Sequence, residues 1–185
     1  VTTRARRDEL VPGLADVFRR HGYEGATLAL IGEATGLGKG SLYNLFPGGK
    51  AEMAALVLAH VDGWFAREIF APLREAPQPD EAIRAMLRAT DRYFHSGGRL
   101  CVVGVVALGA SRDEFAAAVH GYFAAWIDAL AAALRRRGET TALARRKAEQ
   151  AVLAIQGALV LTRALDDTAV FRRALQEAER QLLEA

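Results

Sequence analysis

Apolar residues Leu10, Leu14, Val17 and Phe18 recur at three- and four-residue spacing, and the run stops at Gly22 after the basic pair Arg19-Arg20, which predicts a first helix. Pro12 places the start of its regular part near Val11, because proline lacks an amide donor and is tolerated in a first turn. Thr27 precedes an apolar stretch with Ile31 and Ala34, as an N-cap whose hydroxyl accepts a free helix-end amide; Gly36 stops this second helix after two turns. Leu42, Tyr43 and Phe46 form a third short pattern, ended by Pro47-Gly48-Gly49. A longer amphipathic run from Lys50 carries Met53, Leu56, Val57, Val61, Trp64 and Phe65 and breaks near Pro72. The rest divides into helices at about 80–96, 100–110, 113–137, 141–165 and 168–184. No stretch alternates convincingly as a strand, so the pattern predicts an all-α fold of about nine helices.

The segment GLGKGSLY, Gly36 to Tyr43, resembles a phosphate-binding loop at first sight. A Walker loop would need glycine where Glu33 stands and a hydroxyl where Gly40 stands, and the dinucleotide fingerprint fails because its third glycine comes one residue early with no strand before it. Two short helices joined by a tight glycine turn and preceded by a packing helix are instead the parts of a helix-turn-helix, whose second helix enters the DNA major groove. Gly36 then supplies a left-handed turn, and Gly40 keeps one face of the short helix thin beside its target.

Composition narrows the alternatives. The chain has 185 residues, 51% hydrophobic and 25% charged with 5 prolines, which excludes disordered and fibrous classes. The longest apolar stretch, Leu100 to Ala110, is too short for a bilayer, and Arg4, Arg6 and Arg7 precede no apolar signal core, so a cytoplasmic protein without membrane contact is expected. A lone Cys101 and four dispersed histidines offer neither a disulfide nor metal-ligand spacing, and no cofactor is expected. The net charge of +2 lies wholly in residues 1–50, where 7 Lys and Arg face 5 Asp and Glu. A catalytic set is absent: Asp166-Asp167 point apart on a helix end, and there is no Gly-x-Ser-x-Gly.

The series Thr27, Ile31, Ala34, Gly36, Leu37, Lys39-Gly40-Ser41-Leu42-Tyr43, Phe46-Pro47 and Gly49-Lys50 strongly resembles the TetR family of bacterial transcriptional regulators. KGSLYNLFPGGKAEM looks like its LmrA/YxaF branch, as do Phe123-Ala124-Ala125-Trp126 and Gln156-Gly157-Ala158 further on. The resemblance implies a homodimer with a helix-turn-helix head over residues 1–49 and a helical body over 50–185 that binds a small effector and releases palindromic operator DNA. A helical enzyme or carrier, or a dimer that has lost specific DNA binding, is the alternative.

With the motif around them, Lys39 and Tyr43 are expected to contact DNA, Gly40 to allow close approach, and Ser41 and Asn44 to read base edges. Thr27 and Lys50, at the starts of helices two and four, are expected to clamp phosphates. Trp64, Phe94, Cys101, Phe123 and Trp126 lie on apolar helical faces and form a candidate effector wall, suited to an apolar or aromatic small molecule. For dimerisation, Ala151, Ala154, Gly157, Ala158 and Leu161 offer a smooth face, and Phe171, Leu175, Ala178 and Leu182 repeat at helical spacing. Two such helices from each chain would close a four-helix interface.

Overall fold

The computed structural model describes residues 3–184; the side chain of Arg4 lies outside the described set. The fold is all-helical. Its α-helices are α1 (Thr3–Gly25), α2 (Leu28–Thr35), α3 (Lys39–Leu45), α4 (Gly49–Phe65), α5 (Ala71–Glu75), α6 (Pro79–Tyr93), α7 (Val102–Leu108), α8 (Ala116–Arg136), α9 (Thr141–Leu165) and α10 (Ala169–Leu183). A π turn, Ala66–Phe70, joins α4 to α5 through helical backbone on both sides, so these three segments form one rod and the expected total of nine stands among the described residues. A 3-10 turn, Ala110–Asp113, lies between α7 and α8.

Two helix limits differ from the sequence pattern. α1 starts at Thr3 and continues through Pro12, which is exposed; the carbonyl four residues back, on Asp8, is on an equally exposed residue, so the missing bond opens to solvent rather than to the core. The helix carried by Lys50 passes Pro72: the residue follows directly on the π turn, and helical backbone continues to Glu75 although proline supplies no amide there. α8 is long and apolar enough to cross a membrane by length and composition. It is nevertheless a core helix, with Trp126, Ala129, Leu130, Ala133 and Leu134 fully buried.

By packing the chain forms two compact units. One comprises the residues up to Asp62 together with Val102–Val119; the other comprises Gly63–Cys101 and the chain from His120 onward. The limit expected at 49/50 therefore differs from the limits set by packing, which fall inside α4 and assign α7 and the 3-10 turn to the head. In the first unit Leu14, Phe18, Ile31, Leu42, Phe46 and Met53 form a small core without exposed surface above 1%. Gly13 brings α1 against α2: a Cβ there would lie 2.8 Å from the Ala34 carbonyl oxygen. In the second unit α10 packs on α9 and α6.

Candidate nucleic-acid interface

Local chemistry sets the head. Thr27 Oγ1 accepts the Leu30 amide at 3.2 Å and opens α2; Gly36, at φ 68°, closes it with its amide on the Gly32 carbonyl. Gly38 opens α3 with extended backbone and no side-chain cap, and the Phe46 amide closes α3 on the Leu42 carbonyl at 2.8 Å. Only Leu42 of this short helix is buried, and it anchors the helix together with the fully buried Phe46 just beyond. Lys39, Gly40, Ser41, Tyr43 and Asn44 are consequently all exposed, with Tyr43 at 44% although it is a large ring. Beyond its chain neighbours and its own helix backbone, no atom of the described residues lies within 4 Å of the place a Cβ would occupy on Gly40.

The turn after α3 is held from below. Glu52 accepts the Gly48 amide at 2.9 Å and the Arg7 guanidinium at 2.5 Å, while Arg7 lies 4.8 Å over the Phe46 ring. Gly49 takes φ 64°, and the Tyr43 ring passes 3.7 Å from where its Cβ would be. Sequence reading overlooked Glu52, although a carboxylate in the first turn of a helix after two glycines is a recognisable capping signal. Thr27 is exposed. Lys50 is engaged within the protein. Its ammonium donates to the Tyr23 carbonyl at 2.8 Å and the Glu24 carbonyl at 3.4 Å, and lies 4.5 Å over the Tyr23 ring. The expected phosphate clamp is therefore a cap on the end of α1, because the carbonyls there have no helical partners of their own.

In the second unit Phe65 centres an aromatic cluster. Its ring centroid lies 5.1 Å from Trp126, 6.2 Å from Phe94, 5.2 Å from Trp64 and 4.9 Å from Tyr122. Phe123 and Cys101 join through Tyr122, with ring centroids 5.0 Å apart for the first and Sγ 4.0 Å from the phenol oxygen for the second. All five expected wall residues thus adjoin one cluster, whose hub, Phe65, with Tyr122, the pattern did not single out. Phe94 and Trp126 are fully buried, Trp64 and Phe123 half-buried, and the Trp126 indole nitrogen is buried without a hydrogen-bond partner.

The dimer surface requires correction. Ala151, Ala158, Phe171, Leu175, Ala178 and Leu182 are buried within this chain, where α10 fills its own contacts with α9 and α6. An apolar stripe reveals which face is covered, not what covers it. Ala154, Gly157 and Leu161 are exposed, and they lie with Leu153, Val160 and Leu165 on one side of α9. The outward face of α10 carries Arg172, Arg173, Gln176, Glu177 and Arg180.

A helix-turn-helix whose second helix is bare, joined to an all-helical body, defines a class: helical DNA-binding regulators. Residues 13–57 match the family described as bacterial regulatory proteins, tetR family, and residues 79–177 match the family described as transcriptional regulator LmrA/YxaF-like, C-terminal domain. The chain belongs to the TetR family of transcriptional regulators, with an LmrA/YxaF-like C-terminal domain; this is a family of regulators rather than enzymes. It is 25% identical to the HTH-type transcriptional regulator LmrA of Bacillus subtilis over 160 residues, 84% of this chain and 85% of that one. It is 34% identical over 94 residues to the transcriptional repressor AcnR of Corynebacterium glutamicum, 51% of this chain and 47% of that one. A TetR-family regulator from Agrobacterium tumefaciens has the same fold, with a TM-score of 0.80 at 22% identity over 97% of this chain and 98% of that one. A cysteine mutant of the TetR-family regulator CifR, complexed with 26 bp of double-strand operator DNA, gives a TM-score of 0.76 at 28% identity over 96% of each chain.

Proposed function

We propose that this regulator is a repressor that binds palindromic operator DNA as a homodimer in the cytoplasm and is released by a small apolar or aromatic effector. The exposed face of α3 carries the reading: five neighbouring residues, Lys39 to Ser41 and Tyr43 to Asn44, stand clear of the protein while Leu42 and Phe46 fix the helix beneath them. Lys39 supplies charge for phosphate or guanine, Asn44 and Ser41 supply groups for base edges, and Gly40 permits close approach. The aromatic cluster around Phe65 supports an apolar effector, and the exposed stripe of α9 supports a second copy of the chain. The relative CifR is known in complex with operator DNA, which accords with the same use of this head.

Selection of bound sites from random duplex DNA by purified protein tests the reading. A palindromic motif is expected, and recovery of no enriched motif overturns it. With the motif in hand, an apolar compound that lowers operator affinity must itself bind more weakly to the operator complex by the same factor.

A further inference from the structure

The segment 102–119 falls inside the stretch matched by the C-terminal family, yet it packs in the same unit as the head. α7 holds it there by packing along α1, and the part that follows, 109–115, meets two residues at the end of α1. Glu24 Oε1 accepts the Ser111 amide at 2.6 Å, reaching across 87 residues of sequence. The Tyr23 ring meets the edge of Phe115 at 5.1 Å. Gly109 leaves space for the carboxylate: a Cβ there would lie 3.1 Å from one Glu24 oxygen and 3.3 Å from the other. Gly22, at φ 66° and ψ 178°, breaks the helical backbone just before this pair, and the Lys50 ammonium fixes the released turn through the Tyr23 and Glu24 carbonyls. The start of α4, the end of α1 and the segment before α8 therefore meet at Tyr23-Glu24, while α7 lies along α1.

We infer that Glu24 is a positioning residue: its carboxylate latches the segment 109–115 to the operator-binding head, so that operator occupancy and the order of that segment are linked. The inference rests on the head being the operator-binding part. Its physical basis is reciprocity. If the latch opens by a fluctuation of the α1 end, then DNA that steadies the head slows the opening, and a segment that releases Glu24 loosens the head. The segment runs without interruption into α8, whose Tyr122 and Trp126 belong to the aromatic cluster of the second unit. A backbone amide as the latched group makes the contact independent of the side chain at position 111.

Hydrogen exchange tests this in two arms. In the DNA-free protein the Ser111 amide is expected to be protected, to lose that protection in Glu24→Ala, and to keep most of it in Glu24→Gln, whose amide oxygen still accepts. In the second arm the selected operator is expected to slow exchange across 102–119 about fivefold or more in the wild type. The slowing is expected to vanish in Glu24→Ala and to shrink in Gly109→Ala, whose Cβ would lie 3.1 Å from a carboxylate oxygen and displace it from the Ser111 amide. Equal Ser111 exchange in wild type and Glu24→Ala overturns the latch, and so does operator-dependent slowing that survives both alanine variants. Wild-type exchange indifferent to a bound operator overturns the linkage. Failure to select any operator refutes the regulatory reading instead, while the first arm still decides whether Glu24 holds Ser111; a Glu24→Ala chain that does not fold leaves Gly109→Ala to make the comparison.

Discussion

Lys39 projects from the first turn of α3 without an ion-pair partner among the described residues, whereas Lys50 donates to two carbonyls and covers a tyrosine ring. The same charge at two helix starts therefore has different consequences. Lys39→Ala is expected to weaken operator binding by about 1–3 kcal/mol without changing the melting curve, because among the described residues no group pairs with its ammonium. Lys50→Ala is expected to lower stability to unfolding by about 1 kcal/mol, below the usual range for charge-assisted hydrogen bonds because solvent reaches the residue, and to leave the salt slope of operator binding unchanged. Gel shifts at several salt concentrations, paired with urea unfolding, separate the two. A Lys50→Ala protein of normal stability whose salt slope falls by about one charge would restore it to the phosphate-contacting set. The sequence places both lysines alike at helix starts; only the tertiary partner, 27 residues away at Tyr23, distinguishes them.

At the scale of elements, helix existence was legible because apolar spacing and glycine stops are local. Gly36 ends α2 as its position implies, and the left-handed backbone there is the physical reason. Partners are not local, which is why the spacing in α10 points to a face for another chain while α9 and α6 cover that face within the protomer. The aromatic cluster shows the intermediate case: spacing marked Trp64 and Trp126 as apolar-facing, but Phe65 became the hub only once α6 and α8 were brought beside α4. Close approaches follow the same division. Gly36→Ala is expected to cost about 1 kcal/mol, from φ 68° alone, since a Cβ meets nothing within 4 Å. Gly13→Ala is expected to cost more, about 1–3 kcal/mol, because its Cβ meets a backbone carbonyl that cannot swing aside. Urea midpoints order the two; equal costs would mean that α1 and α2 separate freely.

Glu24 adds a dependence on pH at this scale. Its own backbone amide, then the Ser111 amide, with Lys50 of α4 adding charge, hold the carboxyl below the usual range, while Glu114 lies near Tyr23 on the facing segment. A folded-state value below the unfolded one means that the stabilisation is complete above the ordinary Glu value of about 4.3 and disappears as pH falls through the folded value. The stability gap between wild type and Glu24→Gln is therefore expected at neutral pH and should close in acid. A gap that persists unchanged below the folded value would assign the effect to side-chain packing rather than to charge.

For the whole molecule, the decisive feature is the exposed side of α9. Leu153, Val160, Leu161 and Leu165 are 70%, 57%, 51% and 63% exposed, beside the small residues Ala154 and Gly157. Large apolar side chains scattered singly need no explanation, but four on one helix face form a patch that water disfavours. In the proposed homodimer a two-fold axis through this patch sets α9 against its own copy, with the small residues letting the backbones approach. Val160→Glu combined with Leu161→Glu is then expected to give particles of the 20.0 kDa chain mass by light scattering, where the wild type gives twice that mass. Because both side chains are outside the protomer core, the helical signal should persist in the variant. Operator affinity should nevertheless fall by orders of magnitude, since each half-site is then bound without the other. A variant that stays dimeric removes this face of α9 from the interface, and a monomer that binds the full palindrome as tightly as wild type removes dimerisation from operator recognition.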